Sequence, residues 1–151
     1  MKSEYSLKSL DDTKNLACEI AKRVKCVDTI LLKGDLGSGK TSFARFFINS
    51  FMDVEVLSPT FTLLNLYHAP EFDIYHYDLY RLEEFSECLE LGIEDNLCSA
   101  VNIIEWPTLI MSILPKNYIE LEFTVAEKGD RIVKISYFGK CKHYLEEQNG
   151  K

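Results

Sequence analysis

No segment of the sequence is apolar enough for long enough to cross a bilayer, and the opening MKSEYSLKSLDDTK lacks the apolar stretch of a signal peptide. A membrane role is not expected, and the cytoplasm is the expected compartment. The five cysteines, Cys18, Cys26, Cys88, Cys98 and Cys141, include no C-x-x-C pair, so neither a zinc site nor a disulfide framework is indicated and all five read as thiols. An excess of basic charge is missing too. The formal net charge of -7 disfavours a phosphate backbone, because nonspecific nucleic-acid affinity comes from Lys and Arg displacing counterions. Contact with nucleic acid is therefore expected to be indirect or confined to one patch. Internal repeats and low-complexity linkers are absent, so residues 1–151 read as one domain, with a polar, frayed tail from about residue 140.

What is present is ordinary globular usage: 46% hydrophobic and 27% charged residues, which excludes the disordered class. Glu4 to Lys8 reads as a short strand. Ser9, Asp11 and Asp12 then offer N-cap chemistry ahead of a helix whose apolar Leu16, Ile20, Ala21 and Val24 recur at helical spacing. Thr29 to Leu32 is a short apolar run of the kind buried in a parallel sheet, and Ser42 to Phe51 reads as a helix with an apolar face of Phe43, Phe46, Phe47 and Phe51. Thr60 to Tyr67 is β-rich, and Asp73 to Asp78 alternates Ile74, His76 and Asp78 against Tyr75 and Tyr77, so both are expected as strands. Glu83 to Leu91 is a helix stopped by Gly92, with a further turn over Glu94 to Leu97. Val101 to Glu105 is a second buried strand ended before Pro107. Tyr118 to Ala126 and Arg131 to Phe138 form a hairpin around Glu127-Lys128-Gly129-Asp130.

Between the first apolar strand and its helix stands Gly34-Asp35-Leu36-Gly37-Ser38-Gly39-Lys40-Thr41, the G-x-x-x-x-G-K-T pattern in the strand-to-helix context it requires. Each residue type has a physical role. Glycines let backbone N–H groups turn inward around phosphates, the helix presents its positive end, a lysine reaches the β and γ oxygens, and a threonine hydroxyl ligates Mg2+. A chance Gly-rich turn is the bland alternative, and the flanking strand and helix argue against it. ATP and Mg2+ are the expected ligands.

Such a loop also needs an acid at a nearby strand end to hold the metal and orient the attacking water. Glu105 and Asp78 both end strands at the edge where ligands bind in open α/β sheets, and the residues alone do not rank them. Thr60, in Ser58-Pro59-Thr60, falls where GTPase-like folds carry a loop that orders around the γ-phosphate; a Pro-directed turn with a capping hydroxyl is the rival. His76, a lone histidine among tyrosines, reads as structural. Trp106 follows Glu105 and packs either near the nucleotide or in the core.

Ser58-Pro59-Thr60-Phe61-Thr62-Leu63, His76-Tyr77-Asp78-Leu79-Tyr80-Arg81-Leu82, Leu91-Gly92-Ile93 and Ile104-Glu105-Trp106-Pro107 follow the glycine-rich loop in order. Together they resemble the TsaE (YjeE) family of bacterial ATPases needed to form threonylcarbamoyladenosine on tRNA. The resemblance covers most of the chain. It implies a P-loop NTPase-like α/β fold of three layers, with a central mixed β-sheet flanked by helices. It implies a nucleotide site of Thr13, Gly34, Asp35, Leu36, Gly37, Ser38, Gly39, Lys40, Thr41, Ser42 and Trp106, with base contacts around Gly129 to Arg131. Thr41 and Glu105 would be metal ligands, and Lys40, Asp78 and Thr60 would act in catalysis, Thr60 from a switch-like loop. The synthase subunit TsaD and its companion TsaB would be the partners, with tRNA engaged indirectly. Thr108 departs from the acid or Gln that the family often carries after E-W-P.

The sequence offers no obvious arginine to neutralise transition-state charge, since Arg45 falls on the helix after the loop and Arg81 beyond Asp78. Slow hydrolysis alone, stimulated by a partner, is the expectation. A nucleotide-dependent adaptor with negligible hydrolysis and a small-molecule kinase are the alternatives. The kinase would need an acceptor pocket and an arginine-rich lid, and neither is evident.

Overall fold

The computed structural model describes residues 2–25 and 28–142, so Cys26 and most of the expected tail lie outside the described residues. Strand β1 (Lys2–Leu7) leads into helix α1 (Leu10–Ala21), capped as the sequence indicates: the Ser9 hydroxyl accepts from the Asp12 N–H at 3.3 Å. The apolar run becomes β2 (Thr29–Gly34), and α2 (Lys40–Asn49) starts two residues before the expected Ser42, because the loop itself supplies the left-handed Gly39 as N-cap. Strands β3 (Leu64–His68) and β4 (Asp73–Asp78) precede the short helices α3 (Phe85–Glu90) and α4 (Ile93–Leu97). Gly92 ends the first of these as expected and also caps the second, at φ 75°. Strand β5 (Val101–Glu105), a 3-10 helix (Pro107–Ile113), β6 (Tyr118–Val125) and β7 (Arg131–Phe138) complete the sheet, and a 3-10 turn (Gly139–Cys141) follows.

All seven strands join one mixed sheet in the order β1-β7-β6-β2-β5-β4-β3. Its middle is parallel, β6-β2-β5-β4, and antiparallel pairs close both sides. The parallel strands point their carboxyl ends to one edge, where β2 delivers the glycine-rich loop and β4 and β5 deliver their terminal acids.

Strand alternation divides the core. Ile30, Leu32, Ile74, Ile103 and Leu121 pack with Leu16, Ile20, Phe43 and Phe47 on the α1/α2 face. Leu31, Tyr77 and Ile104 face the other way, against Cys88, Ile93, Leu97 and Ile110. The result is the expected three layers. Phe43 and Phe47 are fully buried, each worth about 1.5–3 kcal/mol of burial, and they clamp α2 so that its amino end sits over the sheet edge.

One expected strand is corrected. Thr60 to Leu63 form a turn, and β3 begins only at Leu64. The Leu63 N–H donates to the Pro59 carbonyl at 2.7 Å, Leu63 itself is left-handed at φ 68°, and its carbonyl accepts from the Asp78 N–H at 3.0 Å. The turn therefore anchors Thr60 beside the end of β4.

Candidate functional site

The loop from Gly34 to Thr41 owes its path to glycine at two places. Gly34 has φ 140°, and a Cβ there would lie 2.5 Å from the Phe123 carbonyl oxygen and 2.7 Å from the Ser38 hydroxyl. Gly39 has φ 114° and lies under the Arg131 side chain, whose Cδ would be 3.2 Å from an added Cβ. Gly34→Ala is expected to destabilise the fold by at least about 1–3 kcal/mol, the usual cost of one forced backbone conformation, because Phe123 belongs to the paired strand β6 and cannot yield cheaply. Thermal melting checks this.

Leu36, Gly37, Gly39, Lys40, Thr41, Ser42, Thr60, Asp78, Glu105, Trp106 and Arg131 line one cleft. The structure thus brings the loop, both candidate acids, Thr60 and Trp106 together. Gly34, Asp35 and Ser38 face a separate depression against β6. Thr13 is buried on α1 and lines neither, its N–H donating to the Ser9 carbonyl at 3.3 Å.

At the centre of the cleft the Lys40 ammonium donates to the carbonyls of Gly34 and Asp35 and stands 3.6 Å from the centroid of the Trp106 ring. Burial pushes its pKa down from the ordinary lysine value, and the carboxylates of Glu105, Asp78 and Asp35 oppose that shift. Trp106 reaches the lysine because its own backbone is left-handed, at φ 58°, which turns the chain sharply out of β5. Its N–H still donates to the Leu32 carbonyl at 3.2 Å, and its ring meets Tyr80 at 4.7 Å between centroids.

The acids sit side by side, since Asp78 and Glu105 are register partners in the parallel β4–β5 pair. Asp78 is 6% exposed; its Oδ1 accepts from the Tyr80 N–H at 3.0 Å and its Oδ2 from the Thr60 hydroxyl at 3.4 Å. Ser58 and Thr60 share a 2.7 Å hydroxyl contact, which extends this chain to the loop surface. Glu105 is 2% exposed; its Oε1 accepts from the Thr41 hydroxyl at 3.3 Å and its Oε2 lies 2.7 Å from Nε2 of His76. Thr41 and Glu105 thus form a hard, oxygen-only pair suited to Mg2+, which usually takes one or two protein ligands beside substrate phosphates and water. Among the described residues no group of three or more His, Cys, Asp or Glu is placed to hold a metal by itself.

Two participants stand apart from the sequence reading. Arg131, expected only in the neighbourhood of base contacts, brings a guanidinium into the cleft, where Nη2 donates to the Gly37 carbonyl at 3.2 Å. No local motif marks Arg131, whose position follows from the pairing of β6 with β7. His76 is fully buried against Glu105, and its one sequence signal is that it shares a strand face with Asp78. Cys18, Cys88, Cys98 and Cys141 are thiols.

The family profile described as threonylcarbamoyl adenosine biosynthesis protein TsaE matches residues 7–133. A protein of Rickettsia prowazekii named tRNA threonylcarbamoyladenosine biosynthesis protein TsaE is 41% identical over 133 residues, 87% of this chain and 92% of that one. A Bacillus subtilis protein of the same name is 31% identical over 140 residues, 91% of this chain and 87% of that one. The crystal structure of Bacillus subtilis YdiB superposes with a TM-score of 0.79 at 25% identity, covering 97% of this chain and 93% of the other. No described helix is long and apolar enough to cross a membrane.

Proposed function

The chain belongs to the TsaE family of tRNA threonylcarbamoyladenosine biosynthesis proteins, and from that premise we propose that it is an ATPase that binds ATP with Mg2+ and hydrolyses it in support of that modification. The observation that carries the reading is the convergence of Lys40, Thr41, Thr60, Asp78 and Glu105 on one cleft at the mouth of the glycine-rich loop. Loop N–H groups and the amino end of α2 receive the phosphates, and Lys40 leaves its carbonyl partners for phosphate oxygens. Thr41 and Glu105 hold the metal, which when bound neutralises charge on the phosphates. Asp78 orients the attacking water, and Thr60, tied to Asp78 through its hydroxyl, reports on the γ-phosphate from a loop able to reorder. Trp106 packs beside the nucleotide.

Hydrolysis by the chain alone is slow. Arg131, the arginine in the cleft, is engaged with the Gly37 carbonyl, and a partner that completes the charge-stabilising set would raise the rate. We assign that role to the TsaD–TsaB complex. With a net charge of -7 the chain acts on that protein complex and leaves most tRNA contact to it, in the cytoplasm.

The test is ATP hydrolysis by the purified chain with and without TsaD–TsaB. A low basal rate that rises at least about tenfold with the complex is expected, a fraction of the 10³–10⁵ that a supplied arginine contributes in GTPases. No hydrolysis under either condition would sink the ATPase reading and leave the adaptor.

A further inference from the structure

His76 enters the site from below. On β4, residues Ile74, His76 and Asp78 alternate onto the α2 face; Ile74 joins the core, Asp78 reaches the cleft, and His76 lies between them with no exposed surface. Its register partner across the parallel pair is Ile103, while Glu105 pairs with Asp78. The imidazole therefore reaches diagonally along the strands to the Glu105 carboxylate, 2.7 Å away. A carboxylate oxygen there accepts, which places the ring proton on Nε2.

We infer that His76 is a positioning residue for Glu105: it holds Oε2 so that Oε1 stays turned toward Thr41 and the metal that accompanies ATP. The inference rests on the ATPase reading above. Glu105 is bracketed by two donors from different elements, Thr41 on α2 and His76 on β4. In that reading Thr41 turns to the metal, and His76 is the donor that nucleotide binding leaves in place. Outer partners of this kind orient metal ligands and tune their affinity.

A purely structural histidine makes a poorer account. Nδ1 is buried with no hydrogen-bond partner among the described residues, so the ring does not use both nitrogens to tie parts of the fold together. Among the described residues the ring's one polar contact goes to the site.

The experiment is Mn2+ binding, followed by electron paramagnetic resonance, to the full chain saturated with a non-hydrolysable ATP analogue. Wild type is compared with His76→Leu, similar in volume and without a donor, and His76→Gln, whose amide nitrogen falls near the Nε2 position. Analogue binding in EDTA is measured in parallel. His76→Leu is expected to weaken Mn2+ about tenfold to a hundredfold, His76→Gln to stay near wild type, and metal-free analogue affinity to remain unchanged in all three. Unchanged Mn2+ affinity in His76→Leu overturns the role, as does an equal loss in both variants or a parallel loss of metal-free binding, the mark of a structural defect. Should His76→Leu fail to fold, His76→Asn, polar but too short to reach Glu105, is read by the same criteria. Failure of wild type to bind Mn2+ with the analogue overturns the nucleotide reading itself.

Discussion

On the proposed ATPase reading, Asp78→Asn is expected to lower ATP hydrolysis by about a thousandfold, with or without partner, while ATP affinity stays within about threefold of wild type; the factor is that of a positioned base, about 10²–10⁴. The separation follows from where Asp78 stands. It lies at the cleft wall beside Glu105, is nearly buried, and is oriented by the Tyr80 N–H at 3.0 Å and the Thr60 hydroxyl at 3.4 Å. Those contacts aim it by hydrogen bonds that involve neither the glycine-rich loop nor Lys40. Asparagine keeps an oxygen for the Tyr80 N–H, so the loop geometry survives, but it cannot accept a proton from water. Steady-state hydrolysis gives the rate, and the fluorescence of Trp106, the single tryptophan of the chain, gives the affinity. Equal losses in both would instead make Asp78 a binding residue.

On the same reading, Lys40→Ala is expected to abolish measurable hydrolysis and to weaken ATP by at least about a hundredfold, the loss of close to 3 kcal/mol expected when a buried charged hydrogen-bond donor is removed from a triphosphate. The same change should leave the fold intact. Lys40 is only 4% exposed, and its charge is held by carbonyl oxygens and an indole face at a desolvation cost that depresses its pKa. For a base with a depressed native pKa, the charged form opposes folding fully below that pKa and ceases to do so as pH rises past the unfolded value. Near neutral pH the alanine variant should therefore melt at or above the wild-type temperature, and the difference should shrink toward alkaline pH. A variant that loses both ATP and thermal stability would assign Lys40 to the fold.

Most of the architecture was legible because the signals were local. The 3.6-residue period of α1, the apolar runs of β2 and β5, and the turn chemistry at Gly129 each name an element without help from elsewhere. The glycine-rich loop was legible for the same reason. Thr60 to Leu63 misled because Thr60, Phe61 and Thr62 carry β propensity, while the turn is imposed from a distance by the bond between the Leu63 carbonyl and the Asp78 N–H. Asp78 and Glu105 could be placed at strand ends, but their adjacency is a matter of β4–β5 register, which no single segment encodes. The same holds for His76 beneath Glu105, and for Arg131, which arrives at Gly37 from the far end of the chain.

The place of β6 has a consequence for the order in which a ribosome builds this molecule. Gly34 lies against Phe123, its partner in the parallel β2–β6 pair, so a nascent chain halted before residue 118 carries the entire glycine-rich motif but has no floor for it. Until the β6–β7 hairpin leaves the exit tunnel, β2 has an open, apolar edge, the kind of surface chaperones shield and aggregates recruit.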